Sequence, residues 1–568
     1  MPVPLRDSTA NALRVLSSPS VHRHHNRGQV PLRRPSLLQQ SAHLEPHADE
    51  KTFQQSSQQQ QQQQQQQHLV LVGGGHAHAQ VIKALNWASR PSDLKVTLID
   101  QQSAASYSGM VPGCIYQRYT PDETLLHLQP LAEWAGIDFV HAKVVDIDLE
   151  QKLVRVATSP TTSGDANRHQ TIPFDCISID IGSTSRGLDD TPGAREFTIP
   201  TRPISKLVER IDRSIEEVIR DDEAQQPEAE ADPRVVVIGG GAAGVELSMA
   251  LNGRFRSQLP NKNTQVTLLD AGTELLPGES QRGREKLQQI MREQGIQVIH
   301  QSQVQELSEN RIFASIDGKP TIIPYSHCVW ATGAGAHPLA YRLQQKGLDA
   351  TKHGWIRVNQ HLQSTSHPFV FAAGDCCSID NLPTPKAGVF AVRAGPVLIE
   401  NLTAYLQQLR RRRANSGVMS PTDAEIEKVT LKKYVPQSDF LKLLVCGDGR
   451  ALGLRFGQAF HGKWVMELKD KIDTNFMDLF RREHLTELKA GEEYDTSQYD
   501  SKMAAKTTLD PKEGAELLSR TDDDVDYQEA WSVIRTMADS EDYREQVLSF
   551  MGGTQTQEES EPTSAVAA

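Results

Sequence analysis

Only six cysteines are spread through 568 residues, Cys114, Cys176, Cys328, Cys376, Cys377 and Cys446, with no C-x-x-C pair among them. Their scatter argues against a disulfide framework and for free thiols in a reducing compartment. Long hydrophobic runs are also missing. No stretch reaches the ~18 apolar residues that a spanning helix needs, so a transmembrane segment is not expected, while peripheral attachment is compatible with the composition. Positive charge is in deficit, and a net charge of −12 gives no electrostatic footing for a nucleic-acid partner. Acids are nearly absent from the start of the chain, where Asp7 is the only one before Glu45. That basic, Ser-bearing opening reads either as an organelle transit peptide or as an ordinary disordered tail, and it lacks the continuous apolar core of a secretory signal. Gln54 to Gln67 is nearly pure glutamine, which buries nothing and reads as a disordered spacer. Residues 1–67 are therefore expected to be a leader, with the folded body beginning at His68.

What is present begins at once. LVLVGGGHAHAQVIKAL, followed by KVTLID, reads as strand, glycine turn, helix and second strand. Leu69 to Val72 is short enough for a buried strand. Gly73 allows the tight turn, and Gly75 lets backbone N–H groups approach a pyrophosphate at a helix N-terminus. Asp100 ends the second strand, where an acid can take ribose hydroxyls. The third position of the fingerprint is His78 rather than glycine, which puts strand–helix packing in question rather than phosphate binding.

The pattern returns complete further on. RVVVIGGGAAGVELSMAL carries Gly239, Gly241 and Gly244, and QVTLLD ends in Asp270. One G-x-G-x-x-G is weak; two copies, each inside a βαβ pattern with its acid, point to two nucleotide sites. Between them, Tyr107 to Cys114 is a Gly- and Pro-punctuated loop. Leu125, Leu128, Leu131 and Trp134 make a helical stripe within Thr120–Trp134, Phe139 to Ile147 alternates as a strand, and Asp175 to Ile181 is a strand ending in DIGS (Asp180–Ser183). Pro203 to Asp222 is a charged amphipathic helix, and Ala224 to Pro233 a polar linker. HCVWATGAG and HPFVFAAGDCC are strands running into glycine turns, and Ala387 opens a long helix loosened at Pro396. From Val429 two or three strands with a tight GDG turn are expected. They precede a basic amphipathic helix with Trp464, Leu468, Ile472, Phe476 and Phe480 on one stripe. The acidic remainder, about Leu488 to Ala568, reads as largely disordered with one weak helix around Asp526–Phe550.

In this order, GGGHAHA, YSGMVPGCI, GGGAAGVELS, ATGAG and FVFAAGD resemble the flavoproteins with two dinucleotide-binding domains, the pyridine nucleotide–disulfide oxidoreductase architecture. The GGGHAH start, the YSGMVPG loop and the tail YVPQSDFLKLLVCGDGRALG…WVMELKDKIDTNFM are most similar to NADH-dehydrogenase-like flavoproteins associated with selenide, water dikinase. Type II NADH:quinone and sulfide:quinone oxidoreductases are close relatives of these. The resemblance covers about His68 to Phe480 and implies an α/β fold. Two Rossmann-like domains are expected, the FAD domain split by an inserted NAD(P)H domain, with a small C-terminal α+β domain and disordered extensions at both ends. The expected division is 68–202 and 331–400 for FAD, 203–233 for helix and linker, 234–330 for NAD(P)H, 401–487 for the C-terminal domain and 488–568 for the tail.

The resemblance also implies roles. Gly73, Gly75 and Asp100 match the FAD ADP site, Gly374 and Asp375 the flavin ribityl motif, and Ala387 the start of a helix aimed at the flavin. His76 and His78 flank the first turn within reach of the flavin phosphates, and Gly182 and Gly333 complete the cofactor set. Gly239, Gly241, Gly244 and Asp270 match the nicotinamide-nucleotide site. No arginine follows directly in DAGTELL, which favours NADH over NADPH. Glu246 matches an acid beside the nicotinamide, and Lys386 can stabilise reduced flavin or remain solvated. No metal site is expected, because further ligands near the histidines are not evident. Disulfide reductases place a C-x-x-x-x-C pair in the first segment, where this chain has Cys114 alone, so their chemistry is disfavoured. Vicinal Cys376–Cys377 reads as small buried packing.

The expected function is an FAD-dependent NADH dehydrogenase with a quinone as acceptor. A sulfide- or selenium-linked oxidoreductase and a flavin-bound sensor or scaffold are the alternatives. The Trp464–Phe480 stripe would lie in a membrane interface, or else pack on the protein or on a second copy in a homodimer. An organelle is expected, the mitochondrion ahead of plastid or cytoplasm.

Overall fold

The computed structural model describes residues 66–157, 169–223, 232–415, 430–491, 509–520 and 525–551. The leader, the glutamine tract, most of the 224–233 linker and parts of the tail lie outside the described residues. β1 (Gln67–Val72) enters the first glycine turn and α1 (His76–Ala84) leaves it. β2 (Leu94–Asp100), α2 (Leu128–Ala135), β3 (Asp138–His141) and β4 (Cys176–Ile179) follow. α2 starts later than its leucine spacing suggests. Leu125–His127 is pulled into an antiparallel pair with Ala104–Ser106, so the stripe is shared between a strand and a helix.

β5 (Ile199–Pro200) and α3 (Leu207–Glu223) lead into the second glycine pattern. There β6 (Arg234–Ile238), α4 (Ala242–Gln258), β7 (Gln265–Leu269), α5 (Gln281–Glu293), β8 (Gln297–Ile299) and β9 (His327–Trp330) form a second unit. β10 (Val370–Ala372) then returns to the first sheet. The spatial orders are β10-β4-β1-β2-β3 and β5-β9-β6-β7-β8, every neighbouring pair parallel. These are two Rossmann-like sheets, the first interrupted in sequence by the second. In each, the strand leading into the glycine turn is central, and the order reverses beside it. That reversal opens a crevice at the carboxyl ends of the strands, where ligands bind in such folds.

α6 (Gly388–Asn415) packs along α1 and contains Pro396. Proline has no N–H for the carbonyl one turn back, that of Val392. Gln80 of α1 donates to this carbonyl at 2.8 Å, so the helix continues through Pro396 with that group satisfied. A side chain on Gly395 would collide with Gln80, which fixes how closely the two helices meet.

After α6 comes an antiparallel meander of three strands, β11 (Lys442–Val445), β12 (Ala451–Arg455) and β13 (Gln458–Gly462), and then α7 (Lys463–Asp478). Gly447 and Gly449 of the GDG turn have φ of +71° and +87°, which a side chain would strain. The stripe on α7 does not face outward. Trp464, Leu468 and Phe480 are buried, and Ile472 and Phe476 pack against the same core. The membrane-interface reading is thereby corrected in favour of its alternative, packing on the protein itself.

The tail is also more ordered than its acidity suggests. α8 (Pro511–Ser519), α9 (Tyr527–Asp539) and α10 (Glu541–Phe550) bury Leu517, Leu518, Val533, Ile534, Met537 and Val547 in the main core. Many of the acids stand at helix starts, where they are stabilising. Asp510 and Glu513 form a reciprocal capping box, Asp526 caps α9, and Glu541 and Asp542 lie in the first turn of α10. Charge counting took these caps for a solvating composition. Among the described residues no helix is long and apolar enough to cross a membrane.

Candidate active site at the junction of the two sheets

The first turn is held by backbone and carboxylates. Gly73 has φ +90°, and its N–H donates to Ile99 O at 2.8 Å. The N–H of Gly74 donates to Asp100 Oδ2 at 2.6 Å, and that of Gly75 to Asp180 O at 3.2 Å. Burial pushes Asp100 up, against the hydrogen bonds that favour its charged form. His78 does not reach toward a phosphate. Its Nδ1 lies 2.6 Å from Gly73 O and its Nε2 2.7 Å from Ser178 Oγ, both buried. It therefore stitches the turn to β4, and the packing doubt raised by the missing glycine is resolved by two hydrogen bonds. In the second turn the corresponding Gly244 sits so close to Gly239 O that any Cβ would collide with it.

Beyond the turn, Gly374 has φ +71°, and Asp375 accepts from Ser183 Oγ at 2.9 Å with Arg202 3.5 Å away. Lys386 donates to Cys377 O and lies 4.3 Å over the Trp355 ring, so it is neither free nor fully solvated. Ala387 precedes the N-terminus of α6, and Gly388 there lies against Ser108 of the Tyr107 loop.

The second turn is more open. Gly241 caps α4, and a Cβ there would meet nothing within 4 Å. Gly333, with φ +94°, and Gly182, with φ +65°, likewise face open space. Asp270 is buried, accepting Gly272 N–H at 3.1 Å and pairing with His300 Nδ1 at 3.0 Å.

α7 joins the two halves. Lys469 is buried, donating to Gly109 O at 2.8 Å and to Asp473 Oδ2 at 2.9 Å. Burial pulls its ammonium down, but Asp473 and Glu246 together hold it above its ordinary value. Tyr107 Oη donates to Asp473 Oδ1 at 3.2 Å. The rings of Tyr107 and Phe476 are 4.9 Å apart, and His76 is 5.5 Å from the one and 6.0 Å from the other. Burial lowers His76 to about 4, so it is neutral at ordinary pH. Glu246 reaches in from α4 and accepts Val445 N–H at 2.9 Å. Burial pushes its carboxyl up to about 7, against the pull of Lys469. Next to Lys469 on α7, Asp470 accepts from Arg118 and Tyr119 and so fastens the segment after the Tyr107–Cys114 loop to the same helix.

Apart from Lys386 and Ala387, which stand just before α6, the predicted site residues fall into three groups. Gly73, Gly75, His76, Asp100, Gly182, Gly374 and Asp375 gather at the first turn. Gly239, Gly241, Gly244, Asp270 and Gly333 gather at the second. Glu246 is linked to the first group through Lys469, Asp473 and Tyr107. Sequence reasoning missed Asp180, Ser183, Arg202, His300, Lys469 and Asp473. Lys469 and Asp473 left a signal: two opposite charges spaced i, i+4 directly beside an apolar stripe. All six cysteines are buried and free, and burial pushes Cys114 up to about 12, leaving no thiolate there.

A sequence model of the family described as pyridine nucleotide-disulphide oxidoreductase matches residues 67–395. The chain belongs to that family. Among its relatives, the mitochondrial external alternative NADH-ubiquinone oxidoreductase of Yarrowia lipolytica is 25% identical over 343 residues, 56% of each chain. The type II NADH:quinone oxidoreductase of Haemophilus influenzae is 25% identical over 332 residues, 54% of this chain and 73% of the relative. The match thus spans little more than half the length of the first of these relatives. In fold, the chain is similar to NDH2 of Plasmodium falciparum in complex with NADH, with TM-score 0.56 and 12% identity over 72% of this chain and 96% of that one. It is equally similar to the sulfide:quinone oxidoreductase of Aquifex aeolicus, with TM-score 0.56 and 16% identity over 72% and 90%.

Proposed function

We propose that this chain is an FAD-dependent NADH dehydrogenase that delivers electrons to a quinone. The observation that carries this reading is the charged and aromatic cluster in which α7 links His76 beside the first turn to Glu246 on the helix of the second. The relatives support it, since those named above carry NADH and quinone in their names. The glycine turns suit two dinucleotides: side chains on Gly73 or Gly75 would collide with Asp180, and Gly241 leaves its helix N-terminus open.

In this reading Gly73, Gly75, His76, Asp100, Gly182, Gly374 and Asp375 hold the FAD, and α6 after Ala387 turns its positive end toward the flavin. Gly239, Gly241, Gly244, Asp270 and Gly333 hold NADH, with Asp270 accepting ribose hydroxyls and repelling a 2′-phosphate. Residues 68–202 and 331–400 form the FAD domain around an NADH domain of 234–330, except that the short strand Ile199–Pro200 joins the NADH-domain sheet. Bound FAD supplies the hydride acceptor and the electron relay. Glu246 exchanges a proton near neutral pH, Lys469 holds positive charge between the two halves, and Lys386 adds positive charge beside the start of α6. A mitochondrial location fits the basic, acid-poor leader and the mitochondrial name of the Yarrowia lipolytica relative.

Anaerobic mixing with NADH tests the reading. Rapid bleaching of the flavin band, followed by reoxidation with a soluble quinone, is expected. No bleaching at millimolar NADH, or bleaching by sulfide instead, would overturn it.

A further inference from the structure

Asp180 ends the strand beside β1, and its carboxyl lies under the first glycine turn, 3% exposed. Oδ2 accepts the N–H groups of Ala77 at 3.0 Å and His78 at 3.3 Å, inside the first turn of α1. Side chains on Gly75 or Gly374 would overlap this carboxyl. The second turn has no counterpart. Asp180-Ile181-Gly182 corresponds there to Ala331-Thr332-Gly333, since the carbonyl of Asp180 abuts Gly73 as that of Ala331 abuts Gly239. One of the two turns thus carries an anion of its own at the helix end that attracts anions.

The surroundings are short of compensating charge. Asp100 faces the site from the end of β2, and Asp375, Cys376 and Cys377 from the segment after β10. From α1 come His78, whose ring nitrogens are both bonded, and His76; burial leaves both rings neutral at ordinary pH. The nearby cations are directed elsewhere, Arg202 to Asp375 and Lys386 to Cys377 O. A dinucleotide would add the two negative charges of its pyrophosphate to this set. Like charges in a buried site cannot all stay ionised, and the one held most deeply takes up a proton.

We propose that Asp180 takes up a proton from solvent when FAD binds, so that retention of the cofactor is set by pH through this one carboxyl. This rests on assigning FAD to the first turn. In the structure Asp180 is pushed up to about 7, mainly by burial and also by Asp375 and Asp100, against the His78 and Ala77 hydrogen bonds. Above that pH binding must protonate a carboxylate; below it the acid is already neutral.

The test uses the full-length holoprotein. FAD release on dilution is followed by flavin fluorescence from pH 6 to 8.5, and protons are counted with an indicator dye when FAD is added back in weak buffer. The expected FAD Kd is about tenfold weaker at pH 8 than at pH 6, with close to one proton taken up per FAD at pH 8. Asp180→Asn should flatten the pH dependence and abolish the uptake. A pH-independent Kd with no uptake in the wild-type protein overturns the proposal while leaving the FAD assignment intact. Failure to retain FAD at any pH overturns the assignment itself. Should the Asn variant not fold, the wild-type infrared difference spectrum decides between these outcomes. A new protonated-carboxyl band on FAD binding supports the proposal, and its absence refutes it.

Discussion

Lys469 Nζ lies 2.9 Å from Asp473 Oδ2, one turn along α7, with both side chains almost wholly buried. Removing one member leaves the other charged in a low-dielectric setting. Lys469→Met should therefore destabilise the protein by about 3–5 kcal/mol, and Lys469→Met with Asp473→Leu by clearly less. Urea unfolding of the two variants checks this. Equal losses would mean that the pair is not coupled.

Glu246 makes stability depend on pH. Its folded carboxyl is raised to about 7 from an ordinary value near 4.5. The unfolded chain therefore gives up this proton first, and stability is lost as pH rises through the window between those values, then levels off. Glu246→Gln, whose amide oxygen can still accept Val445 N–H, should remove up to about 3 kcal/mol of that decline. Denaturation midpoints at pH 5 and pH 8 measure it.

His78→Gly would restore the third glycine of the fingerprint. It should nonetheless cost about 2–3 kcal/mol, because Gly73 O and Ser178 Oγ lose buried partners. A stabilised variant would show that the ring is only tolerated.

Asp270 is expected to set coenzyme choice. Asp270→Ala should weaken NADH by about tenfold or more while narrowing the gap to NADPH. Equilibrium titration with both coenzymes reads the ratio, and an unchanged ratio would remove Asp270 from the site.

Trp464 is buried within the core beside Phe460. Trp464→Ala should destabilise by about 3–5 kcal/mol and leave liposome flotation unchanged. Reduced flotation of a still-folded variant would revive an interfacial role for α7.

The centre of each parallel sheet was legible because it is written locally: an apolar run, a glycine turn and an acid within a few dozen residues. α7 was legible as a helix, but not in its direction, since a stripe that fits a membrane also fits a core. Asp180 was visible at the end of its strand, yet nothing nearby in sequence shows that it reaches the amides of Ala77 and His78, about a hundred positions earlier. Lys469 and Asp473 were hidden similarly, because their partners Gly109, Tyr107 and Glu246 come from segments far away in the chain. The three tail helices were obscured by composition, which counts a capping acid and a solvating acid alike.

The return of β10 to the first sheet also bears on the order of assembly. β4 pairs with Val370–Ala372, across nearly two hundred intervening residues. During synthesis the second sheet can be completed while the first still lacks its last strand. Until then Cys176–Ile179 is an open edge, apolar and ready to pair with another chain. A ribosome-bound chain stalled before Val370 should therefore hold a finished second nucleotide fold beside an unfinished first one. That stage leaves a strand edge of the first sheet unpaired which the mature protein covers with Val370–Ala372.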